Sequence, residues 1–286
     1  MEYVIATTVS TDEIHLADGT VFGNQPGSAG FYALAGVRMF TDKVAVCGGI
    51  GPEYLPRHEK WYKDNGVSTK GLVLRSDISP TIVIQYYPDG SRTDEPNIGL
   101  KEFRALDPSP DEVFRCCDQN TKGVYVFKDV ERDYLDALIG GKLRFGYKLM
   151  WEISEDACRP ENIDVIEAYL KDIDVFSINR HEACLLYETT DEEEAQRRLL
   201  AASPNWVFLE GVLRARICLQ VEESINVRAY QEFRLLIRPE AAIVLQVLYF
   251  MPAVKAMSHR WQAVWDRRLR QKLLRSTVHP RFLQKK

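Results

Sequence analysis

Asn179 and Glu182 stand three positions apart, directly after the apolar run Asp174-Val175-Phe176-Ser177-Ile178. In the first turn of a helix, positions i and i+3 share a face, so an amide oxygen and a carboxylate at this spacing can point at one metal–phosphate site. Magnesium takes oxygen ligands and keeps several waters, which lets a single Glu hold it through its hydration shell. The same pair also has the form of a helix cap answered by a reciprocal Glu, and from spacing alone that structural reading is the stronger. Asp12 follows another apolar run, Tyr3 to Val9, where by itself it reads as a turn or helix-cap residue. Gly27 and Gly30 bracket Ser28 and Ala29, a segment small enough for its backbone to approach a ligand closely, although Gly-x-x-Gly also occurs often in plain turns. His181 lies between Asn179 and Glu182 and reads as a helix-surface residue; it is the only histidine expected near these groups.

The elements that must carry these residues alternate. Tyr3 to Val9, Val44 to Ile50, Gly123 to Phe127, Lys148 to Glu152 and Asp174 to Ile178 are short apolar, β-rich runs that predict buried strands. Between the last two, Pro160 marks a first helical turn, and Ile163, Ile166, Tyr169 and Leu170 follow at helical spacing. Asp191 to Leu200 has the acidic start of a helix. Strands alternating with helices at these intervals argue for an α/β fold with a mainly parallel central sheet. Leu72 to Leu74 and Thr81 to Tyr87, the latter ending in the turn Pro88-Asp89-Gly90-Ser91, predict an antiparallel β flap over about residues 72–95. Phe22, Tyr86 and Tyr87 could line a pocket beneath it, although strand aromatics more often just pack. Gly48, Gly49 and Gly51 lack the G-x-G-x-x-G spacing of a dinucleotide fingerprint.

With 286 residues, 45% of them apolar and 27% charged, the chain has an ordinary globular composition, which excludes disorder throughout and fibrous repeats. The longest late apolar run, Ala241 to Val254, is broken by Gln246 and Pro252 and is too short for a membrane span. The first residues carry no basic and apolar leader, so a cytoplasmic location is expected. Six cysteines without a C-x-x-C pair suggest neither zinc nor a disulfide framework and read as reduced, mostly buried thiols. The net charge of −4 conceals a basic tail: residues 255–286 hold ten lysines and arginines against Asp266 alone.

Three segments together carry a family resemblance: Gly27-Ser28-Ala29-Gly30-Phe31-Tyr32-Ala33, Trp151-Glu152-Ile153-Ser154-Glu155 running on to Asn162, and Ser177-Ile178-Asn179-Arg180-His181-Glu182-Ala183. The chain resembles the PfkB/ribokinase family of sugar and nucleoside kinases over about residues 1–190. The resemblance implies a ribokinase-like three-layer α/β sandwich with a small β lid. It also implies ATP-dependent phosphoryl transfer to a hydroxyl of a sugar, nucleoside or similar small molecule. Asp12, Gly27, Ser28 and Gly30 would then contact substrate, and Asn179 and Glu182 would organise ATP and Mg2+, with Glu182 as the metal-side residue. Phe31 and Tyr32 stand where family sugar kinases usually place an Asn, so no ribose contact is carried over there.

Family kinases close with Asp-x-Thr-Gly-Ala/Gly-Gly-Asp/Asn, whose backbone amides form an anion hole and whose final Asp, when present, is the catalytic base. No such segment exists here, and no glycine follows Gly211. The catalytic base is therefore unassigned. Read two nucleotides out of frame, the codons for Leu236 to Leu245 can spell Asp-Pro-Thr-Gly-Gly-Gly-Asn-Ser-Phe, a match to the missing motif. The expectation is a frame-shifted tail beginning somewhere between about Thr190 and Leu236. Residues 1–190 would form the PfkB-like core, and 191–286 a divergent, incomplete or irregular C-terminal region. Such a chain would be an impaired kinase; the alternative is a non-catalytic relative that binds a ligand or partner. A polyanion contact through Trp261 and Trp265, interleaved with Arg260, Arg267, Arg268 and Arg270, ranks lowest, because the same pattern fits a solvated amphipathic helix. Nucleic acid is thus not an expected partner, and a homodimer is left open.

Overall fold

The computed structural model describes residues 1–38, 41–88, 92–203, 205–210, 214–219 and 223–228. In chain order these form β1 (Tyr3–Ala6), β2 (Ser10–His15), β3 (Val21–Gly27), α1 (Ala29–Arg38), β4 (Val44–Ile50), α2 (Tyr54–Asp64), β5 (Ser68–Leu74), β6 (Thr81–Tyr86) and β7 (Arg92–Pro96). There follow α3 (Leu100–Arg104), α4 (Pro110–Cys116), β8 (Gly123–Lys128), α5 (Arg132–Phe145), β9 (Lys148–Ile153), α6 (Ile163–Leu170), β10 (Val175–Asn179), α7 (Arg180–Leu186) and α8 (Glu192–Ala202). β11 (Trp206–Glu210), β12 (Arg214–Leu219) and β13 (Glu223–Arg228) complete the described elements.

The main sheet has the order β13-β12-β11-β10-β9-β8-β1-β4-β5. From β5 to β11 every neighbouring pair is parallel, while β11–β12 and β12–β13 are antiparallel. Parallel strands covered on both faces read as continuous apolar runs, and β4, with all seven residues buried, shows why its sequence signal is strong. Alternate residues of β1 face opposite layers: Val4 and Ala6 join the core that α4 to α8 cover, whereas Tyr3 and Ile5 join Phe31, Leu34 and Val37 of α1 and Tyr54 and Tyr62 of α2. The result is the expected sandwich of helices, sheet and helices.

Three expectations need correction. Leu72–Leu74 is not part of a flap: it pairs with β4 at the edge of the main sheet. The flap is a separate four-stranded sheet, β3-β2-β6-β7, so two of its strands come from the polar stretch after β1 that reads as a loop. The α/β pattern also does not stop near residue 190. α8 buries Ala195, Leu199 and Leu200 in the core, and β11 adds a parallel strand beside β10 with Val207, Phe208 and Leu209 buried. Asp191 caps α8 by accepting from the Glu193 and Glu194 N–H groups, a local start signal independent of the glycine count that suggested an early break. The stretch 229–286, including the out-of-frame match and the basic tail, lies outside the described residues. Among the described residues no helix is long and apolar enough to cross a membrane.

Candidate functional site

In the main sheet the chain runs outward from β1 through β4 to β5, then resumes on the other side of β1 with β8, β9, β10 and β11. Such a reversal leaves a crevice outside the carboxyl ends of the two central strands, here β1 and β8. A buried polar network lies at those ends. The Thr8 hydroxyl donates to Asp107 Oδ1, Lys128 Nζ donates to Asp107 Oδ2 at 2.7 Å, and Lys128 also pairs with Glu131 at 2.9 Å. Burial works against the Lys128 charge, but its carboxylate partners, Asp107 foremost, outweigh it and hold the ammonium above its ordinary range. Beside it Arg104 pairs with Asp129 at 2.9 Å and reaches Asp156 at 3.7 Å, and the Ser154 hydroxyl donates to Asp129 at 2.8 Å. Sequence reasoning misses this group: its members come from four separated segments with no shared motif.

On the β1 side, Asp12 is completely buried in β2, with the Ser10 hydroxyl donating to its Oδ1 at 2.8 Å. Its carboxyl occupies the space in front of Gly27: a Cβ at residue 27 would sit 1.9 Å from Asp12 Cγ. A Cβ at residue 30 would likewise fall 2.1 Å from Thr7 Cγ2. Both glycines are therefore demanded by side chains packed beneath them. Ser28, between them, has φ of 90°, a left-handed conformation that costs a non-glycine residue on the order of 1–3 kcal/mol. Asp12, Gly27, Ser28 and Gly30 thus form one turn and its support, with Asp12 under the backbone and no longer in a loop. Phe31 turns away from the turn, burying its ring against Trp61 at 4.6 Å.

The expectation that His181 is the only histidine near these groups is wrong. His58, on α2, is buried and hydrogen-bonded through Nε2 to the Thr11 hydroxyl at 2.7 Å, one residue from Asp12. Burial, with the charge of Arg57 adding, pulls its pKa down to about 4, so its ring is neutral at ordinary pH. His181 itself is exposed. Nearby, an open cleft of about 690 Å³ is lined by Asn24 of β3 and by Pro52, Glu53, Pro56 and Arg57 at the start of α2. Phe22, Tyr86 and Tyr87 are not among its lining residues.

Asn179 and Glu182 close the β10–α7 junction at the same end of the sheet. The Glu182 N–H donates to Asn179 Oδ1 and the Asn179 N–H donates to Glu182 Oε2, each at 2.8 Å: a complete capping box. Burial, with a smaller contribution from the Glu155 carboxylate, pushes Glu182 up to about 7, while the Asn179 N–H pulls the other way. Glu155 follows β9, so the two loop segments singled out by sequence do meet. β10 lies three strand spacings from β1, roughly 14 Å, so the Asn179–Glu182 pair and the Gly27–Gly30 turn share an edge without being adjacent.

A divalent cation fits this corner only in a particular way. Among the described residues no group of three His, Cys, Asp or Glu side chains is placed to hold a metal. Glu182 is a part-buried carboxylate with raised proton affinity near a second acidic residue, the environment that a hydrated cation would relieve.

Comparison with known proteins bears on the fold. No family model matches the chain, and no curated protein matches it in sequence. Solved structures do match. The adenosine kinase of Sinorhizobium meliloti superposes with a TM-score of 0.68 at 16% identity over 87% of each chain. A pyrophosphate-dependent kinase in the ribokinase family gives 0.67 at 18%, covering 90% of this chain and 88% of that one. The fructokinase of Vibrio cholerae O395 gives 0.60 at 15%, covering 87% and 96%. These similarities show a ribokinase-like fold, and they extend well past residue 190.

Proposed function

We propose that this chain is built as a PfkB-type carbohydrate kinase, for ATP-dependent phosphoryl transfer to a hydroxyl of a sugar, nucleoside or similar small molecule. One observation carries the reading: within a fold shared with sugar and nucleoside kinases, the Gly27–Gly30 turn, the β1–β8 crevice and the Asn179–Glu182 corner all lie along the carboxyl edge of one sheet. The turn offers backbone and the Ser28 hydroxyl to an acceptor, with Asp12 fixing its shape from below. Asn179 and Glu182 would hold ATP-bound Mg2+ through water. Magnesium would supply charge neutralisation to the transferred phosphoryl group. The chain's own share is to position the acceptor and to exclude water from the crevice.

The donor half is the deficient one. Phosphoryl transfer depends on positioning and electrostatic stabilisation, and the sequence as it stands offers no Thr-Gly-Gly-type anion hole and no assigned base. We read residues beyond the described elements as frame-shifted, and the chain as a binder of acceptor with little turnover. The missing motif also supports the second reading, a non-catalytic relative that acts by binding a ligand or partner.

The test compares this chain with a version whose frame is restored near Leu236, measuring ATP turnover and thermal midpoint across a panel of sugars and nucleosides. Turnover of about 1–100 per second in the restored version alone establishes the kinase reading. Stabilisation by a panel member without product in either version establishes the binding reading. Equal turnover in both would overturn the claim of impairment.

A further inference from the structure

Five described cysteines are free, and two of them meet across an element boundary. Cys47 lies within β4, fully buried; Cys116 is the last residue of α4, half-buried at the surface. Cys47 pairs in register with Gly71 of β5. A Cβ built on Gly71 would sit 2.9 Å from Cys116 Sγ and 3.0 Å from Cys47 Cα, so the Cys116 sulfur hangs over the glycine within about 6 Å of the Cys47 backbone. The nearness of the two thiols holds Cys116 below the usual thiol range, helped by the N-terminal ammonium and Arg115, and raises Cys47 together with burial. Cys116 is therefore the more acidic and more accessible of the two thiols, and Cys47 lies buried behind it. Nothing in the kinase reading uses either sulfur.

We propose that Cys47 and Cys116 form a reversible disulfide when the protein meets a hydroperoxide. The Cys116 thiolate attacks a peroxide oxygen, the O–O bond breaks, and the leaving oxygen takes a proton as alcohol or water, leaving a sulfenic acid on Cys116. The Cys47 sulfur then attacks the Cys116 sulfur; the S–S bond forms, the S–O bond breaks, and the hydroxide departs as water with the Cys47 proton. Two thiols are oxidised and one peroxide is reduced. The bond would tie β4 to the end of α4. Two residues beyond Cys47, the Gly49 N–H donates to Leu106 O at 2.7 Å, next to Asp107 of the crevice network.

The experiment treats the full chain with hydrogen peroxide at neutral pH, alkylates remaining thiols in denaturant, digests without reduction and maps the peptides by mass spectrometry. The expected product joins the Cys47 peptide to the Cys116 peptide, lighter by two hydrogens than their sum and released by dithiothreitol. It persists in Cys117→Ser and vanishes in Cys116→Ser and Cys47→Ala. A bond confined to Cys116 and Cys117, a Cys47 link that survives in Cys116→Ser, or Cys116 proceeding to sulfinic acid while Cys47 is alkylated would each overturn the proposal. Should Cys47→Ala fail to fold, the linked peptide of the unaltered chain still decides.

Discussion

Gly27 is a glycine because of Asp12. The Cβ of any other residue would fall 1.9 Å from the Asp12 carboxyl carbon, and neither group can yield cheaply: the carboxyl is fully buried and Gly27 is tied into β3 against Ser10. Overpacking of this kind costs about 1–3 kcal/mol, so Gly27→Ala is expected to lower stability by an amount near the upper end. The clash is with one side chain, so Asp12→Ala should recover most of the loss. Urea unfolding of the two single variants and the double variant reads this as non-additivity; additive losses would mean that Gly27 is demanded by its backbone and not by Asp12. The two glycines stand out in the sequence, but their reason does not. Asp12 lies fifteen positions away in a polar stretch with no strand periodicity, and its burial follows from β2 pairing with β3 and β6. His58 stands with Tyr54 and Tyr62 on the buried face of α2, four residues apart, but that spacing does not name its partner, and only the fold brings it to Thr11.

The elements differ in how openly their residues announce them. β1, β4, β8, β9 and β10 are legible because both faces are largely buried and their composition is predominantly apolar. The flap strands are not: β7 reads Arg-Thr-Asp-Glu-Pro, and β3 contains Gly23, Asn24 and Pro26, so neither alternates or accumulates β-formers. The α7 start is legible twice over, as cap and as ligand corner, and α4 shows why spacing alone cannot choose. Ser109 and Glu112 make the same capping box there, and Glu112 then pairs with Arg75. Substitution separates the two roles at α7. Asn179→Ala should cost about 1 kcal/mol through the lost cap, whereas Asn179→Ser, itself a good cap, should leave stability nearly unchanged. If Asn179 also serves Mg2+ and ATP, Asn179→Ser in the frame-restored chain should weaken nucleotide binding with no change in thermal midpoint, as calorimetry and thermal unfolding would read together. Unchanged nucleotide affinity would reduce the residue to its cap.

Across the whole molecule, the buried His58 and the part-buried Glu182, at opposite ends of the site edge, push the pH dependence of stability in opposite directions. His58 has its pKa depressed from 6.5 to about 4 in the fold, chiefly by burial, so the unfolded chain binds its proton first. Its contribution is complete above pH 6.5 and is lost as pH falls towards 4. Glu182 is raised from 4.5 to about 7, chiefly by burial, so the folded chain holds its proton longer. Its contribution is complete below pH 4.5 and is lost as pH rises towards 7. Each shift corresponds to at most about 3 kcal/mol, and because windows and magnitudes nearly coincide, the two slopes should largely cancel between pH 4.5 and 6.5. Removing either group should expose the other. Glu182→Gln, whose amide oxygen can still accept the Asn179 N–H, should become steadily more stable as pH rises from 4 to 6.5 and should exceed the parent chain at pH 8. His58→Gln, which can keep a hydrogen bond to Thr11, should show the reverse slope from pH 4.5 to 7, and the double variant should lose both. Thermal midpoints of the four chains across pH 4 to 8 test this; parallel curves would mean that neither group is as secluded as its packing implies, and a change in only one variant would assign the error to the other site.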